Sequence, residues 1–288
     1  MSIHDTSKIR FAVPNKGRLN EPATDLIRRS GYSFRLHGRH LYATCSTADI
    51  VFIFVRAEDI PVLVASGVAA VGITGSDLVA EREAAVDLLL ELGFGKCRLC
   101  VAGPEGAEEA NLSAFAGKTI ATSFPHTTQQ FFANQGVNVC VLEMQGSMEI
   151  MVSLQLADGI VDIVETGDSL RENHLKVLAE IGQYQSVLIA HPSTSADPRV
   201  VQIRRRLEGV LVASRYSILE YNIPADRLKQ AELITPGFQS PTVSQLDQAG
   251  WLAVKVMVEK SGVVQVMDRL EALGATAILE TEVRNCRL

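Results

Sequence analysis

Short apolar runs alternate with helical segments through most of the chain, and this alternation restricts it to an α/β fold. The segments between the runs place apolar residues at helical spacing, as Ile60, Leu63 and Val64 do. The predicted strands of this series are 9–13, 50–55, 68–73, 97–102, 119–121, 137–142, 160–164 and 186–190. The series predicts two α/β lobes joined by two crossings, with a cleft between them that suits a small ligand.

The last 80 residues or so follow a different order. Strands are predicted at 216–221, 251–258 and 276–283, with a short helix at 224–232 and an amphipathic helix at 263–273. This order is typical of a small ferredoxin-like domain. The predicted domain ranges are 1–98 with 184–208 for lobe I, 99–183 for lobe II, and 209–288 for the C-terminal domain.

The net charge of the chain limits the kind of ligand that it is expected to bind. Lys and Arg total 27 against 33 for Asp and Glu, so the net charge of −6 argues against a nucleic-acid binder with a broad basic face. An anionic ligand would have to be held by local dipoles and cations. We expect a soluble cytoplasmic protein without a membrane partner, because there is no secretory signal and no long apolar run, and because five dispersed cysteines suit a reducing compartment.

The segment 157–170, with the sequence ADGIVDIVETGDSL, is the strongest candidate for chemistry. It predicts a buried strand that runs into a glycine-containing turn and then a helix, where backbone N–H groups and the helix dipole favour an anion. Thr166 and Ser169 add hydroxyl donors, Gly167 allows close approach, and Asp162 and Glu165 are placed for ribose hydroxyls or a divalent cation. The alternative is a well-capped strand–turn–helix whose acids are merely polar.

Two further strand-to-helix turns have the same form. Lys16 and Arg18 flank a glycine after the first strand, at the edge where α/β folds bind ligands. An ordinary basic turn is the alternative. In the turn 72–77 we expect Asp77 to cap the following helix, and ligand binding is again open. Cys97 and Cys100 fall in one predicted strand without a zinc-like partner pair, so we interpret them as structural thiols.

Eight segments in order resemble the ATP phosphoribosyltransferase family over essentially the whole chain. They are PNKGRL at 14–19, VRAEDIP at 55–61, GITGSDL at 72–78, LGFGKCRL at 92–99, GSMEI at 146–150, ADGIVDIVETGDSL at 157–170, TPGFQSPTVSQL at 235–246 and LGATAILETEVRNCRL at 273–288. The C-terminal segments resemble the long, self-regulated form of these enzymes.

The resemblance implies a two-lobed core like that of periplasmic binding proteins and a C-terminal ACT-like domain that binds histidine as a feedback inhibitor. It implies that N1 of ATP displaces pyrophosphate from phosphoribosyl pyrophosphate, with Mg²⁺ as cofactor, in the first step of histidine biosynthesis. Family members assemble as dimers and hexamers. A non-catalytic two-lobed binding protein and a catalytically silent regulatory subunit remain the alternatives.

The resemblance also assigns residues. The sugar 5-phosphate would lie on the loop that begins at Glu165 and includes Thr166, Gly167, Asp168, Ser169 and Leu170. Glu149 and Asp162 would hold the ribose hydroxyls, and Asp162 is the candidate Mg²⁺ ligand. The catalytic cations for phosphate charge would be Lys16, Arg18 and Arg56, and the nucleotide side would be lined by Thr74, Gly75 and Asp77. The regulatory histidine pocket would be lined by Asn222, Phe238, Thr242, Met257 and Ala277. Asn222 departs from the acidic residue of some relatives, which predicts weaker or differently tuned inhibition.

Overall fold

The computed structural model describes residues 7–36, 41–106 and 112–287. Residues 1–6, 37–40, 107–111 and 288, which fall within the predicted domain ranges, lie outside the described residues. The chain divides into two compact units, one of Met1–Arg28 with Tyr32–Arg204 and one of Arg29–Gly31 with Arg205–Leu288.

The first unit alternates strands and helices, as predicted. Its strands are β1 (Ile9–Pro14), β2 (Tyr42–Thr44), β3 (Ile50–Val55), β4 (Val71–Gly75), β5 (Asp87–Glu91), β6 (Cys97–Pro104), β7 (Thr119–Thr122), β8 (Cys140–Glu143), β9 (Gly159–Val164), β10 (Leu175–Tyr184) and β11 (Ser186–Ala190). Its helices are α1 (Asn20–Arg29), α2 (Ile60–Ala65), α3 (Ser76–Glu81), α4 (Pro125–Asn134), α5 (Glu149–Ser153) and α6 (Asp168–Glu172), and α7 (Pro198–Ala213) leads into the second unit.

These strands form two sheets, one in each lobe. The first sheet has the order β2-β3-β1-β4-β11-β5 and the second has the order β10-β6-β9-β7-β8. β1 pairs in parallel with β3 and with β4, and β7 pairs in parallel with β8 and with β9. Parallel strands end at a common edge, so the turns after β1, β3 and β4 gather in lobe I and those after β7 and β9 gather in lobe II.

The two lobes are joined by two crossings, as the strand series predicts. The first crossing is 92–96, because β6 pairs along its length with strands of the second sheet. The predicted boundary after residue 98 therefore falls two residues inside β6. The return crossing is short, since only Gln185 separates β10 from β11.

The strands of the first unit are buried because their apolar side chains pack into the cores of the two lobes. In lobe I the rings of Phe11 and Phe34 pack against Phe52 with centroid separations of 5.5 and 4.6 Å. All five residues of β11 are buried, as expected for a strand covered on both faces of the sheet. In lobe II, Ile160 and Leu170 belong to one core cluster, which fixes both ends of the segment that leads from β9 into α6.

The second unit is a ferredoxin-like domain. Its elements are β12 (Tyr216–Pro224), α8 (Leu228–Ile234), β13 (Thr242–Gln245), β14 (Trp251–Glu259), α9 (Val263–Ala272) and β15 (Thr276–Glu282). The antiparallel sheet has the order β13-β14-β12-β15, which is the order of the ferredoxin-like fold. The helix predicted at 224–232 begins later, because Pro224 is still the last residue of β12 and a 3₁₀ turn precedes α8.

Alternate residues of β12 define the two faces of this sheet. Leu219, Tyr221 and Ile223 are buried in one cluster with Ala231 of α8 and Leu270 of α9. The intervening residues of β12 are partly exposed and lie on the opposite face. Among the described helices of the chain, none is both long enough and apolar enough to cross a membrane.

Candidate active site

Arg18 connects the two lobes of the first unit. It follows β1 in lobe I, and its Nη1 atom donates to Glu165 Oε1 of lobe II at 2.9 Å. Its Nη2 atom donates to Cys97 Sγ at 3.0 Å and lies 3.7 Å from Asp77 Oδ2. The side chain is 31% exposed, so one part of the guanidinium remains accessible from the cleft. Three predicted site residues, Arg18, Asp77 and Glu165, are thus brought together.

Asp77 does not act as the predicted cap of α3. The cap position belongs to Gly75, and Asp77 is the second residue of the helix. Its side chain is only 3% exposed. Burial raises the pKa of Asp77, and the neighbouring Arg18 guanidinium opposes that shift. The prediction placed the cap two residues too late, and the Asp77 carboxylate instead accepts hydrogen bonds from its own amide and that of Leu78, within 3.7 Å of Arg18 Nη2.

Gly75 and Thr74, which precede Asp77 in this turn, have structural roles. A Cβ atom at Gly75 would collide with the Asp77 carboxylate, so a side chain at this position would displace it. Thr74 is fully buried, and its hydroxyl donates to the Ala57 carbonyl at 2.8 Å. The geometry therefore gives Thr74 a structural position behind the turn rather than contact with a ligand.

Lys16 and Arg56 lie at the same sheet edge as Arg18. Pro14 and Val55 are register partners at the ends of β1 and β3, and the residues that follow them share this edge. Lys16 is exposed in its turn. The Arg56 side chain is also exposed, with its Nη1 atom 3.7 Å from Glu58 Oε1. Both cations can therefore reach toward an anion in solvent.

The loop after β9 has the conformation of an anion-binding turn. Gly167 has φ = 81° and precedes α6, whose first residue is Asp168. This left-handed conformation, which glycine adopts at little cost, turns successive backbone N–H groups toward one side. The Thr166 hydroxyl donates to Asp168 Oδ2 at 2.6 Å, and Arg171 pairs with the same carboxylate. These contacts lower the pKa of Asp168, with the Thr166 hydrogen bond as the largest cause and Arg171 next.

A cavity of about 380 Å³ adjoins this loop, and its lining includes Glu149 and Asp162. Ser169 Oγ donates to Glu149 Oε1 at 2.7 Å, while Leu170 is buried and anchors the loop in the lobe II core. The Asp162 carboxylate accepts a hydrogen bond from the Ile163 amide at 2.7 Å. Burial raises the pKa of Asp162 to about 6, the Ile163 amide opposes the shift, and the negative charge of Glu149 adds to it.

The carboxylates of this cavity limit what kind of metal site it can form. Within the described ranges, no group of three or more His, Cys, Asp or Glu side chains is arranged to hold a metal ion. Mg²⁺ is commonly held by one or two carboxylates together with substrate phosphates and water. Asp162 and Glu149 fit that arrangement, since both carboxylates line the same cavity beside the loop.

The predicted histidine-binding residues lie on the second unit. Phe238 packs on Tyr216 with a ring separation of 4.8 Å, and both line a cavity of about 390 Å³ together with Met257. Asn222 pairs in register with Ala253 and Thr276, on the face of β12 away from the helices.

Thr242 and Ala277 lie on the strands that flank this face. Thr242 pairs with Lys255 of β14. Ala277 has φ = 49° beside a register shift between β12 and β15, which marks a bulge. Of the five predicted residues, the described lining of the 390 Å³ cavity includes Phe238 and Met257 but not Asn222, Thr242 or Ala277.

Two contacts in the first unit are not predicted from the sequence. Glu81 of α3 accepts hydrogen bonds from the backbone amides of His126 and Thr127, each at 2.9 Å, and so caps α4 across the lobes. Cys97, interpreted as a structural thiol, contacts Arg18. Both pairs are distant in sequence, and no local pattern marks them.

The fold and this site define a two-lobed α/β core, in which a glycine-containing turn of one lobe contacts Arg18 of the other, followed by a ferredoxin-like domain. The family model described as ATP phosphoribosyltransferase matches residues 56–209, and the model described as HisG, C-terminal domain, matches residues 213–285. The chain belongs to the ATP phosphoribosyltransferase family, in its long form, as the motif resemblance predicts.

Individual relatives agree with this assignment. An ATP phosphoribosyltransferase of Rhodopirellula baltica is 45% identical over 98% of this chain and 94% of its own length. That of Corynebacterium kroppenstedtii is 40% identical over 97% of this chain and 99% of its own. Among solved structures, the ATP phosphoribosyl transferase (HisG:HisZ) complex from Thermotoga maritima matches with a TM-score of 0.64 and 30% identity, covering 71% of this chain and 98% of that chain.

Proposed function

We infer that the chain transfers the phosphoribosyl group of phosphoribosyl pyrophosphate to N1 of ATP, which forms phosphoribosyl-ATP and pyrophosphate in the first step of histidine biosynthesis. Relatives of that name match nearly the full length of the chain. The observation that carries the inference is the contact of Arg18 in lobe I with Glu165, the first residue of the anion-binding loop in lobe II. A donor with phosphates at both ends suits a cleft with anion-binding groups on both sides.

The sugar 5-phosphate would bind at the loop 165–170. The left-handed Gly167 presents the following amides, and the hydroxyls of Thr166 and Ser169 lie on the same loop. Charge-assisted hydrogen bonds to backbone N–H groups are among the stronger contacts available to a phosphate. On binding, the phosphate oxygens would replace Asp168 as acceptor for Thr166.

Glu149 and Asp162 would accept hydrogen bonds from the ribose hydroxyls, since both carboxylates line the cavity beside the loop. Lys16, Arg18 and Arg56 would neutralise charge on the departing pyrophosphate or on ATP, and Asp77 would hold Arg18 in place. No protein nucleophile is needed, because the adenine nitrogen attacks the sugar. The work of this chain is then to align two anionic substrates and stabilise the leaving group.

Mg²⁺ would be held by Asp162, with Glu149 beside it, and by substrate phosphates. When bound, it supplies Lewis-acid neutralisation of the pyrophosphate charge. The position of Asp162 supports this part of the proposal, because its carboxylate lines one cavity with Glu149 and the loop 165–170, and burial raises its pKa, so that the ionised form gains from a nearby cation.

Histidine would act as a feedback inhibitor at the second unit, through Asn222, Phe238, Thr242, Met257 and Ala277. Support comes from the cavity lined by Phe238 and Met257 and from the strand bulge at Ala277, a feature common beside binding sites. Asn222 can accept a hydrogen bond from the histidine amine but cannot form an ion pair with it. We also propose a homo-oligomer, a dimer or a hexamer, in the cytoplasm, where free thiols such as the five here are maintained.

The test of the reaction is pyrophosphate release from the full chain with ATP, phosphoribosyl pyrophosphate and Mg²⁺, with phosphoribosyl-ATP identified by mass spectrometry. We expect release only when both substrates are present. Tight binding of one substrate without turnover would instead support a silent regulatory subunit or a binding protein.

A further inference from the structure

Cys97 is a buried residue of this site whose contacts indicate a role beyond packing. It opens β6 at the first crossing between the lobes and is 6% exposed. Its Sγ atom accepts a hydrogen bond from Arg18 Nη2 at 3.0 Å, across 79 positions of sequence. A core thiol is ordinarily a small apolar group, so direct contact with a guanidinium calls for a reason.

The acceptors around Arg18 fall into two kinds. On the Nη2 side lie Cys97 Sγ and Asp77 Oδ2, both buried parts of the framework. On the Nη1 side lies Glu165, whose side chain is 58% exposed on the anion-binding loop. An incoming phosphate can displace the exposed carboxylate far more easily than the two buried groups. The Nη2 half of the Arg18 guanidinium is therefore held by buried partners, and the Nη1 half can exchange Glu165 for a phosphate oxygen.

The thiol suits the fixed side. Burial raises the pKa of Cys97, and although the Arg18 hydrogen bond opposes the shift, Asp77 and Glu165 add to it. The side chain therefore stays a neutral acceptor and does not cancel the charge of Arg18. A second carboxylate there would compete with the substrate for the same cation.

We propose that Cys97 is a positioning residue for Arg18, holding Nη2 so that the Nη1 half of the guanidinium faces the pyrophosphate that leaves. This rests on the role given to Arg18 in the proposed function. Arginine has many rotamers, and fixing the guanidinium before the substrate binds removes an ordering cost from the reaction.

Cys45 is the matched control. It is 6% exposed, like Cys97, and its Sγ atom lies 3.3 Å from Thr47 Oγ1, but it is paired with Ile50 at the start of β3, at the opposite end of the strands from Arg18. A cysteine that matters only for packing should behave alike at both positions. The variants Cys97→Val and Cys45→Val remove the sulfur and enlarge the side chain by the same amount at each position, and Cys97→Ser retains an acceptor.

The experiment measures kcat and KM for phosphoribosyl pyrophosphate, together with Tm, for these variants in wild-type and Arg18→Ala backgrounds. We expect Cys97→Val to lower kcat by about tenfold, Cys97→Ser to retain most of it, and Cys45→Val to lower Tm with little change in kcat. In the Arg18→Ala background, Cys97→Val should have no further effect on kcat, because the guanidinium that Cys97 positions is absent.

Three results would overturn the proposal: equal losses of kcat for Cys97→Val in both backgrounds, failure of serine to rescue, or full activity of Cys97→Val. If Arg18→Ala itself keeps full activity, the role of Arg18 in the proposed function fails instead. Should Cys97→Val not fold, Cys97→Ala takes its place. Calorimetric binding of pyrophosphate gives a second measurement independent of turnover, and Cys97→Val should weaken it in the wild-type background only.

Discussion

The Asp162 carboxyl group, when ionised, destabilises the folded protein because of its burial. It is partly buried close to Glu149, and its pKa rises from the ordinary 3.8 to about 6. Between these values the folded protein binds the proton more tightly than the unfolded chain does, so stability is full below the ordinary pKa and falls as the pH rises through about 6. At neutral pH the ionised group costs on the order of 2–3 kcal/mol.

Asp162→Asn removes this cost and should raise the free energy of unfolding at pH 7.5 by about 1–2 kcal/mol, since an amide oxygen can still accept from the Ile163 amide. At pH 4 the gain should nearly vanish. Urea denaturation at the two pH values measures it. Transferase activity of the variant should fall. A gain of equal size at both pH values, or no gain at pH 7.5, would contradict the assigned protonation.

Arg18→Ala should lower kcat/KM for phosphoribosyl pyrophosphate by about 100-fold or more, because one preorganised electrostatic contact is worth roughly 3 kcal/mol. Steady-state kinetics measures the loss. The control is Arg199→Ala, which removes an exposed cation paired with Asp197 and hydrogen-bonded to the Ser7 carbonyl, at the opposite end of β1 from Arg18. A comparable loss in the control would mean that overall charge, rather than position, matters.

At the level of elements, the turn between β9 and α6 depends on backbone conformation. Apolar strand patterns predict β9, and glycine after Thr166 predicts the turn, because both signals are local. The residue at which the chain enters the second sheet could not be read this way, since an apolar run does not show where the crossing between lobes ends, and the predicted boundary between the lobes falls two residues inside β6. The buried position of Asp77 and the contact of Cys97 also depend on partners far away in sequence.

Gly167→Ala should raise KM for phosphoribosyl pyrophosphate and cost about 1–2 kcal/mol of stability, because an L-residue with φ = 81° is strained. Kinetics and thermal unfolding measure the two effects. Gly136→Ala is the control, with φ = 71° and open space around its Cβ position at the end of α4. It should lose similar stability without a change in KM. A similar rise in KM for both variants would mean that general loosening of the lobe, rather than the loop, is responsible.

At the scale of the whole molecule, an acidic chain is proposed to bind two polyanions and to respond to a third ligand at a separate unit. The net charge of −6 opposes both substrates, and the local cations and amides of the first unit must outweigh it. The residues assigned to histidine binding lie on several strands of the second unit. The pairing of these strands brings the residues onto one sheet.

Asn222→Asp should strengthen inhibition by histidine, with the half-inhibiting concentration falling about tenfold, because an ion pair with the amine replaces a neutral hydrogen bond. Inhibition curves at fixed substrate concentrations measure the change. Gln245→Glu adds the same charge at an exposed position of β13 and should leave the curve unchanged. Equal shifts for both variants, or none for Asn222→Asp, would move the histidine site elsewhere.

The most direct measurement is a crystal structure of the full chain with phosphoribosyl pyrophosphate bound. We expect the sugar 5-phosphate against the amides of 166–170 and the pyrophosphate beside Arg18, with the Arg18–Glu165 contact exchanged for a phosphate oxygen. A 5-phosphate bound anywhere else, with the loop 165–170 empty, would contradict the proposed mode of substrate binding.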